Sequence, residues 1–119
     1  MPSRIIVAKE LADFFKVLAH PDRIRIIEEL HESECSVNEL AQKLELTGSR
    51  VSQHLSIMRA HRFVEERRDG RQHLYHLTQP HLADWIVEGL EFIEGRLKGL
   101  SPKDLKKARS LWAQEKTNP

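Results

Sequence analysis

Residues 46–59, "LTGSRVSQHLSIMR", carry the side chains best suited to act on a partner. Thr47, Ser49, Arg50, Ser52, Gln53 and His54 bring hydroxyl, guanidinium, amide and imidazole groups together, while Val51, Leu55 and Met58 recur at spacings of four and three. That spacing predicts a helix with one apolar stripe and one polar face. No acid occurs from Thr47 to Arg62, although 31% of the chain is charged. A merely solvated face in such a chain would mix both signs. Small polar groups and arginine can hydrogen-bond base edges, and an acid among them would face phosphate and weaken binding. The pattern therefore points to nucleic-acid recognition.

A second group of cations follows in "FVEERRDGRQHLYHL", where Arg67, Arg68 and Arg71 flank Asp69-Gly70. Asp-Gly is a preferred centre for a two-residue hairpin turn. Centred there, the turn sets Val64 opposite Tyr75, Glu66 opposite His73 and Arg68 opposite Arg71. Two arginines placed directly opposite repel, which disfavours folding alone but suits a phosphate or groove between them. The charge distribution agrees. Residues 1–46 carry six basic and nine acidic groups, residues 47–78 six and three, and residues 79–119 seven and six. All six cations of the middle third are arginine, which binds phosphate bidentately and reads guanine edges. The net charge of +1 alone is uninformative.

Metal and redox chemistry have weaker support. Cys35 is the only cysteine, so a single chain holds neither an internal disulfide nor a cysteine-based zinc framework. His31 and Cys35, four residues apart, could supply half of a metal site across a dimer, with Glu32 or Glu34 assisting, since zinc takes roughly four ligands. The plainer reading is a cysteine without chemistry. A redox-sensing thiol needs a cationic neighbour, and its sequence neighbours are acidic. His73 and His76 lie on opposite faces of one strand and do not converge, and His20 before Pro21 reads as structural. Trp85 and Trp112 read as core or interface aromatics. No nucleophile–base pairing, phosphate loop or complete metal set appears, which argues against an enzyme. No cofactor is expected.

The elements that must position these groups are mostly helical. Residues 4–18 place Val7, Leu11, Phe14, Phe15 and Leu18 on one stripe. "AHPD" interrupts it, because a residue before proline avoids the helical region, and Pro21 suits the first turn of the next helix, with Ile24, Ile27 and Leu30 inward. Ser36 and Glu39 form a capping box for a short helix with Leu40, Ala41 and Leu44 inside. Thr47 caps the polar-faced helix, which runs to about His61. After the hairpin, Leu82, Trp85, Ile86, Leu90, Ile93 and Leu97 predict one long amphipathic helix over 81–98. Ser101, Pro102 and Asp104 begin a last helix presenting Leu105, Ala108, Leu111 and Trp112, and the tail "EKTNP" is expected to fray. The fold class expected is mainly α: a winged helix-turn-helix with a two-stranded β wing and long N- and C-terminal dimerisation helices. Residues 1–100 would form the DNA-binding and dimerisation domain, and 101–119 an additional helix and tail. With 119 residues the chain suits one domain. No apolar run approaches the roughly 20 residues of a membrane span, and "MPSRIIVAKE" lacks the apolar core of a secretory signal. A cytoplasmic protein is expected.

The segments "FKVLAHPDRIRIIEEL" and "SVNELAQKLELTGSRVSQHLSIMRAHRFVEERRDGRQHLYHL" resemble the ArsR/SmtB winged-helix repressors of bacteria, over roughly residues 11–95. The resemblance implies a homodimer that binds a near-palindromic operator in double-stranded DNA. Thr47, Ser49, Arg50, Ser52, Gln53 and His54 would lie at the DNA, with Arg67, Arg68 and Arg71 as the wing. Phe14, Leu18, Leu82, Trp85, Ile86, Leu90 and Ile93 would form the dimer interface. The family's small-Gly pair before the wing is Ala60-His61 here. Its metal sensors carry "CVC" where this chain has "SVN", so Ser36 and Asn38 replace the two thiolates and Cys35 is out of register. A second family site would begin near Gln79, Pro80 and His81 and end near Phe92 and Gly95, which cannot ligate. Redox members use a cysteine pair, and this chain has one cysteine. The function expected is a sequence-specific transcriptional regulator, a homodimeric repressor without the usual metal sites. Its effector would be a small molecule or a partner protein, or there would be none. A metal- or redox-responsive repressor using a non-standard site at Cys35 and His31, and a winged-helix protein-interaction module, stand as alternatives.

Overall fold

The computed structural model describes residues 2–97 and 99–113, with the side chains of 109 and 111–113 left aside. Leu111, Trp112 and the tail thus lie outside the described side chains. The chain divides into two compact units, the first running through Thr78 and the second from Gln79. This division falls earlier than the expected boundary at residue 100.

In the first unit, α1 spans Pro2–Leu18 and α2 spans Pro21–Glu32. The break between them follows from Pro21. His20 is forced to φ −148° and ψ 125°, outside the helical region. It then serves as the N-cap of α2, its Nδ1 accepting the Asp22 amide at 3.1 Å. The structural reading of His20 thereby gains its mechanism. Helix α3, Val37–Leu44, starts on the predicted capping box: the Ser36 hydroxyl accepts from Glu39 N at 3.1 Å and Glu39 Oε1 accepts from Ser36 N at 3.0 Å. It ends at Glu45, φ 57°. Helix α4, Gly48–Ala60, begins with Thr47 Oγ1 accepting from Arg50 N at 3.1 Å. At its far end Phe63 N donates to Met58 O at 2.8 Å. The left-handed residue in that exit is Arg62, φ 63°.

The hairpin pairs β1, Val64–Asp69, with β2, Gln72–Leu77. Its register corrects the sequence reading. Val64 faces Leu77, Glu66 faces Tyr75, Arg68 faces His73 and Asp69 faces Gln72. The turn is centred on Gly70-Arg71, with Gly70 at φ 64°, and Arg68 does not oppose Arg71. This register sets Val64 against Leu77, two buried side chains. Cys35 reinforces the hairpin from its other edge by exchanging two backbone bonds with Tyr75, at 3.1 and 2.8 Å. The core of the unit consists of Ile26, Ile27, Leu40, Val51, Leu55, Met58 and Val64, all fully buried. Ile26 takes the inward place expected of Ile24, which is half-buried. The Phe14 ring packs on Phe63 with centroids 5.1 Å apart.

In the second unit, the single helix predicted over 81–98 is broken. Helix α5 spans Leu82–Gly89, and two 3-10 turns follow at Leu90–Phe92 and Glu94–Arg96. Gly89 and Gly95 supply the reason, because glycine inside a helix costs about 1 kcal/mol relative to alanine. Helix α6, Pro102–Ala113, is capped by Ser101, whose hydroxyl accepts from Asp104 N at 3.1 Å. No described helix is long and apolar enough to cross a membrane.

Candidate nucleic-acid interface

Helix α4 packs through Val51, Leu55 and Met58 and leaves Ser49, Arg50, Ser52, Gln53, Ser56 and Arg59 exposed. Thr47 stands exposed at its N-cap. Short side chains on this face let a helix approach a major groove closely, with its N-terminal residues at the base edges. The face predicted from periodicity is therefore present, with one correction.

His54 is not on it. Its side chain is only 9% exposed, turned toward the start of α2. Arg23 Nε donates to His54 Nδ1 at 3.2 Å, and Nε2 lies 3.3 Å from Asp22 Oδ2. The His20 ring meets it edge-on with centroids 4.5 Å apart. Burial lowers the proton affinity of His54, the neighbouring His20 lowers it further, and Asp22 opposes both. The imidazole joins α4 to α2 instead of standing on the exposed face. On the same Asp22 oxygen, Arg50 Nε approaches to 3.4 Å from the solvent side.

His20, Asp22 and His54 also place ligand-type atoms within 4.8 Å of one another. This donor set does not fit a metal. Both rings use the Nδ1 lone pair as an acceptor, from the Asp22 amide and from Arg23. Each neutral ring then carries its proton on Nε2, the atom a metal would need. A ligating histidine normally donates its other N–H to a carboxylate or carbonyl, whereas here an arginine donates into it. The cluster is a set of polar and ring contacts that ties the start of α2 to α4.

The other candidate ligands are Cys35 and His31. Cys35 is fully buried. Its thiol is pushed up in pKa, first by burial, with the Ser33 carbonyl 3.5 Å away and Lys43 Nζ 3.7 Å away. A cation does therefore reach the thiol, from α3 rather than from its sequence neighbours. His31 is buried too. Among the described residues, the two belong to no group of three or more convergent ligands.

On the wing, Arg68 and Arg71 are exposed and carry no ion pair among the described residues. Arg67 differs. It pairs opposite buried Leu74, and its Nε donates to Glu34 Oε2 at 2.6 Å, which holds the Glu34 carboxyl below its ordinary range. The opposite face of the hairpin is ordered by Glu66, which accepts from the Tyr75 hydroxyl at 2.7 Å and contacts His73 Nδ1 at 2.7 Å. Between the start of α3 and the hairpin lies an open cleft of about 430 Å³, lined by Ser36, Asn38, Glu66, Arg71, His73 and Tyr75 among others. The sequence reading missed Asp22 and Arg23. Their only signal was a charged pair directly after His-Pro.

Of the expected dimer residues, Trp85 and Ile93 are exposed, and Phe14, Leu82, Ile86 and Leu90 are half-buried. Leu18 is buried within its own chain, so the apolar edge that α1 leaves exposed is Val7, Leu11 and Phe15 instead.

A helix-turn-helix with a hairpin wing and an acid-free outer face on its second helix is the architecture of a DNA-binding transcriptional regulator. The profile described as "Bacterial regulatory protein, arsR family" matches residues 20–66. The HTH-type transcriptional regulator Rv0081 of Mycobacterium tuberculosis H37Rv is 45% identical over 77 residues, 64% of this chain and 68% of that one. Its crystal structure superposes with a TM-score of 0.69 at 38% identity, covering 76% of this chain and 92% of that chain. The transcriptional repressor SmtB homolog of Synechocystis is 39% identical over 87 residues, 73% of this chain and 66% of that protein. A homodimeric winged helix-turn-helix domain from Mycobacterium bovis, solved by NMR, shares the fold at TM-score 0.69 and 20% identity, over 82% of this chain and 91% of that one. The chain belongs to the ArsR family of winged-helix transcriptional regulators.

Proposed function

We propose that the protein is a homodimeric, sequence-specific repressor that binds a near-palindromic operator. The observation that carries this reading is the outer face of α4, where Ser49, Arg50, Ser52 and Gln53 are all exposed with no acid from Thr47 to Arg62. Thr47 and these four residues read or approach the bases. Arg68 and Arg71 contact the backbone, and Arg67, anchored on Glu34, sets the position of the wing. Dimerisation uses the exposed apolar edge of α1, and in the second unit Trp85 and Ile93 offer exposed apolar side chains of their own. By the family resemblance, the thiolate, carboxylate and histidine positions of the usual metal sites fall at Ser36, Asn38 and Gln79 and near Phe92 and Gly95, so the effector is a small molecule or a partner protein, or the repressor has none.

Fluorescence anisotropy on the DNA upstream of the protein's own coding sequence tests this, at two salt concentrations, with and without EDTA and added zinc. Tight binding at dimer stoichiometry, falling steeply with salt and indifferent to EDTA and zinc, is expected. Zinc-driven release would overturn the non-metal reading. Equal binding to the upstream DNA, to random DNA and to duplexes selected from a random pool would overturn sequence-specific recognition.

A further inference from the structure

Asp22 Oδ2 is shared. It lies 3.3 Å from His54 Nε2 and 3.4 Å from Arg50 Nε, its side chain is 15% exposed, and Arg50 is 58% exposed. The carboxylate sits in the first turn of α2, where the helix dipole favours negative charge. His54 is itself fixed from behind by Arg23. The exposed arginine at the start of α4 therefore forms an ion pair, through its Nε, with a carboxylate that is only 15% exposed.

Two consequences follow. With Nε turned to Asp22 in that ion pair, the terminal Nη groups of Arg50 are the ones left to face outward, and such a pair matches the O6 and N7 acceptors of guanine. The pair Asp22–Arg50 also carries no net charge, so a phosphate gains little from approaching Arg50 and meets the field of Asp22. A neutral base edge meets no such penalty. Resting on the DNA-binding reading above, we propose that Asp22 is a specificity-determining residue: it commits Arg50 to a guanine edge and withholds it from the phosphate backbone.

The test uses the full-length protein, a duplex selected by the wild type from a random-sequence pool, that duplex with single base pairs exchanged, and an unrelated duplex. Affinities are measured over a range of salt for the wild type, D22N, R50A and the double variant. R50A should lose discrimination at one base pair per half-site by about five- to a hundredfold while leaving the salt dependence as in the wild type. D22N frees Arg50. It should bind the unrelated duplex more tightly, steepen the slope of log K against log salt by about 0.9 per subunit, and lose discrimination at the same base pair. The double variant should match R50A, because Asp22 acts only through Arg50. A D22N variant that weakens binding to every duplex equally with an unchanged slope would make Asp22 merely structural and overturn the proposal. So would an R50A variant whose slope falls by about 0.9 per subunit, since Arg50 would then be a phosphate contact. That second result needs no D22N protein and decides the matter if D22N fails to fold. If the wild type prefers no duplex at all, sequence-specific DNA recognition falls, and this assignment with it.

Discussion

Arg23 Nε donates to His54 Nδ1 at 3.2 Å, a bond between the first turn of α2 and the recognition helix, 31 residues further along the chain. It helps to keep the imidazole turned inward. Burial, first, and then the adjoining His20 make the folded protein bind a proton at His54 more weakly than an unfolded chain does. The sign follows directly. Below the ordinary histidine value of 6.5, the unfolded chain takes up a proton that the folded one resists, so stability falls as pH drops. Urea unfolding between pH 8 and 5.5 should show this loss, and His54→Asn should reduce it in that window. The carboxyls of Glu34, Glu39 and Glu66 all lie below their ordinary 4.5. Their contribution is present above that value and disappears only below it, so the two effects separate on the pH axis.

The exposed polar face of α4 and the wing tip should respond differently to truncation. Gln53→Ala should reduce discrimination at one base pair of each half-site by about 1–3 kcal/mol, because an amide pairs bidentately with adenine. Arg71→Ala should weaken every duplex alike and lower the salt slope by about 1 per subunit. Anisotropy titrations against singly exchanged duplexes distinguish the two patterns. A uniform loss for Gln53→Ala would remove it from the base-reading set.

Arg62 leaves α4 at φ 63°, a conformation in which a side chain with a Cβ is strained. Its side chain is exposed, so little packing is lost by removing it. Arg62→Gly should raise stability by about 0.5–1 kcal/mol, read as a higher denaturation midpoint with the same slope. An unchanged or lower midpoint would show that Arg62 makes a compensating interaction.

Leu11 sits near the middle of the exposed apolar edge of α1, 49% exposed in the single chain. Leu11→Lys should leave the fold of the first unit intact and shift sedimentation from dimer to monomer. Operator affinity should fall with it, because the two half-sites, about one helical turn apart, would no longer be held by one particle. A variant that stays dimeric would place the interface elsewhere.

Much of this molecule was legible in short stretches of sequence. The Ser36–Glu39 capping box, the Thr47 and Ser101 caps and the break at Pro21 all appear where local chemistry puts them. Each depends on groups within about one helical turn. The stripe Val51, Leu55 and Met58 likewise marked the buried side of α4, because a period of 3.6 residues fixes which side chains share a face.

The hairpin register was not legible in that way. Moving the turn centre from Asp69-Gly70 to Gly70-Arg71 shifts each partner by two residues, and a shift of two leaves every side chain on the same face. The hydrophobic pattern cannot tell the two registers apart. What separates them is Leu77 reaching Val64, and the bridge from Cys35 to Tyr75.

The inward turn of His54 has the same kind of origin. Periodicity alone leaves it at the edge of the polar face, and only the folded chain brings Asp22 and Arg23 from α2 to within hydrogen-bonding range. The chain itself thus specified the helices, their caps and the acid-free face of α4, since those follow from neighbours along the backbone. Which of the polar groups on α4 face the solvent, and which anion holds Arg50, were decided by contacts some thirty residues apart in sequence. Such contacts exist only once the core of Ile26, Leu40 and Leu55 has brought α2, α3 and α4 together.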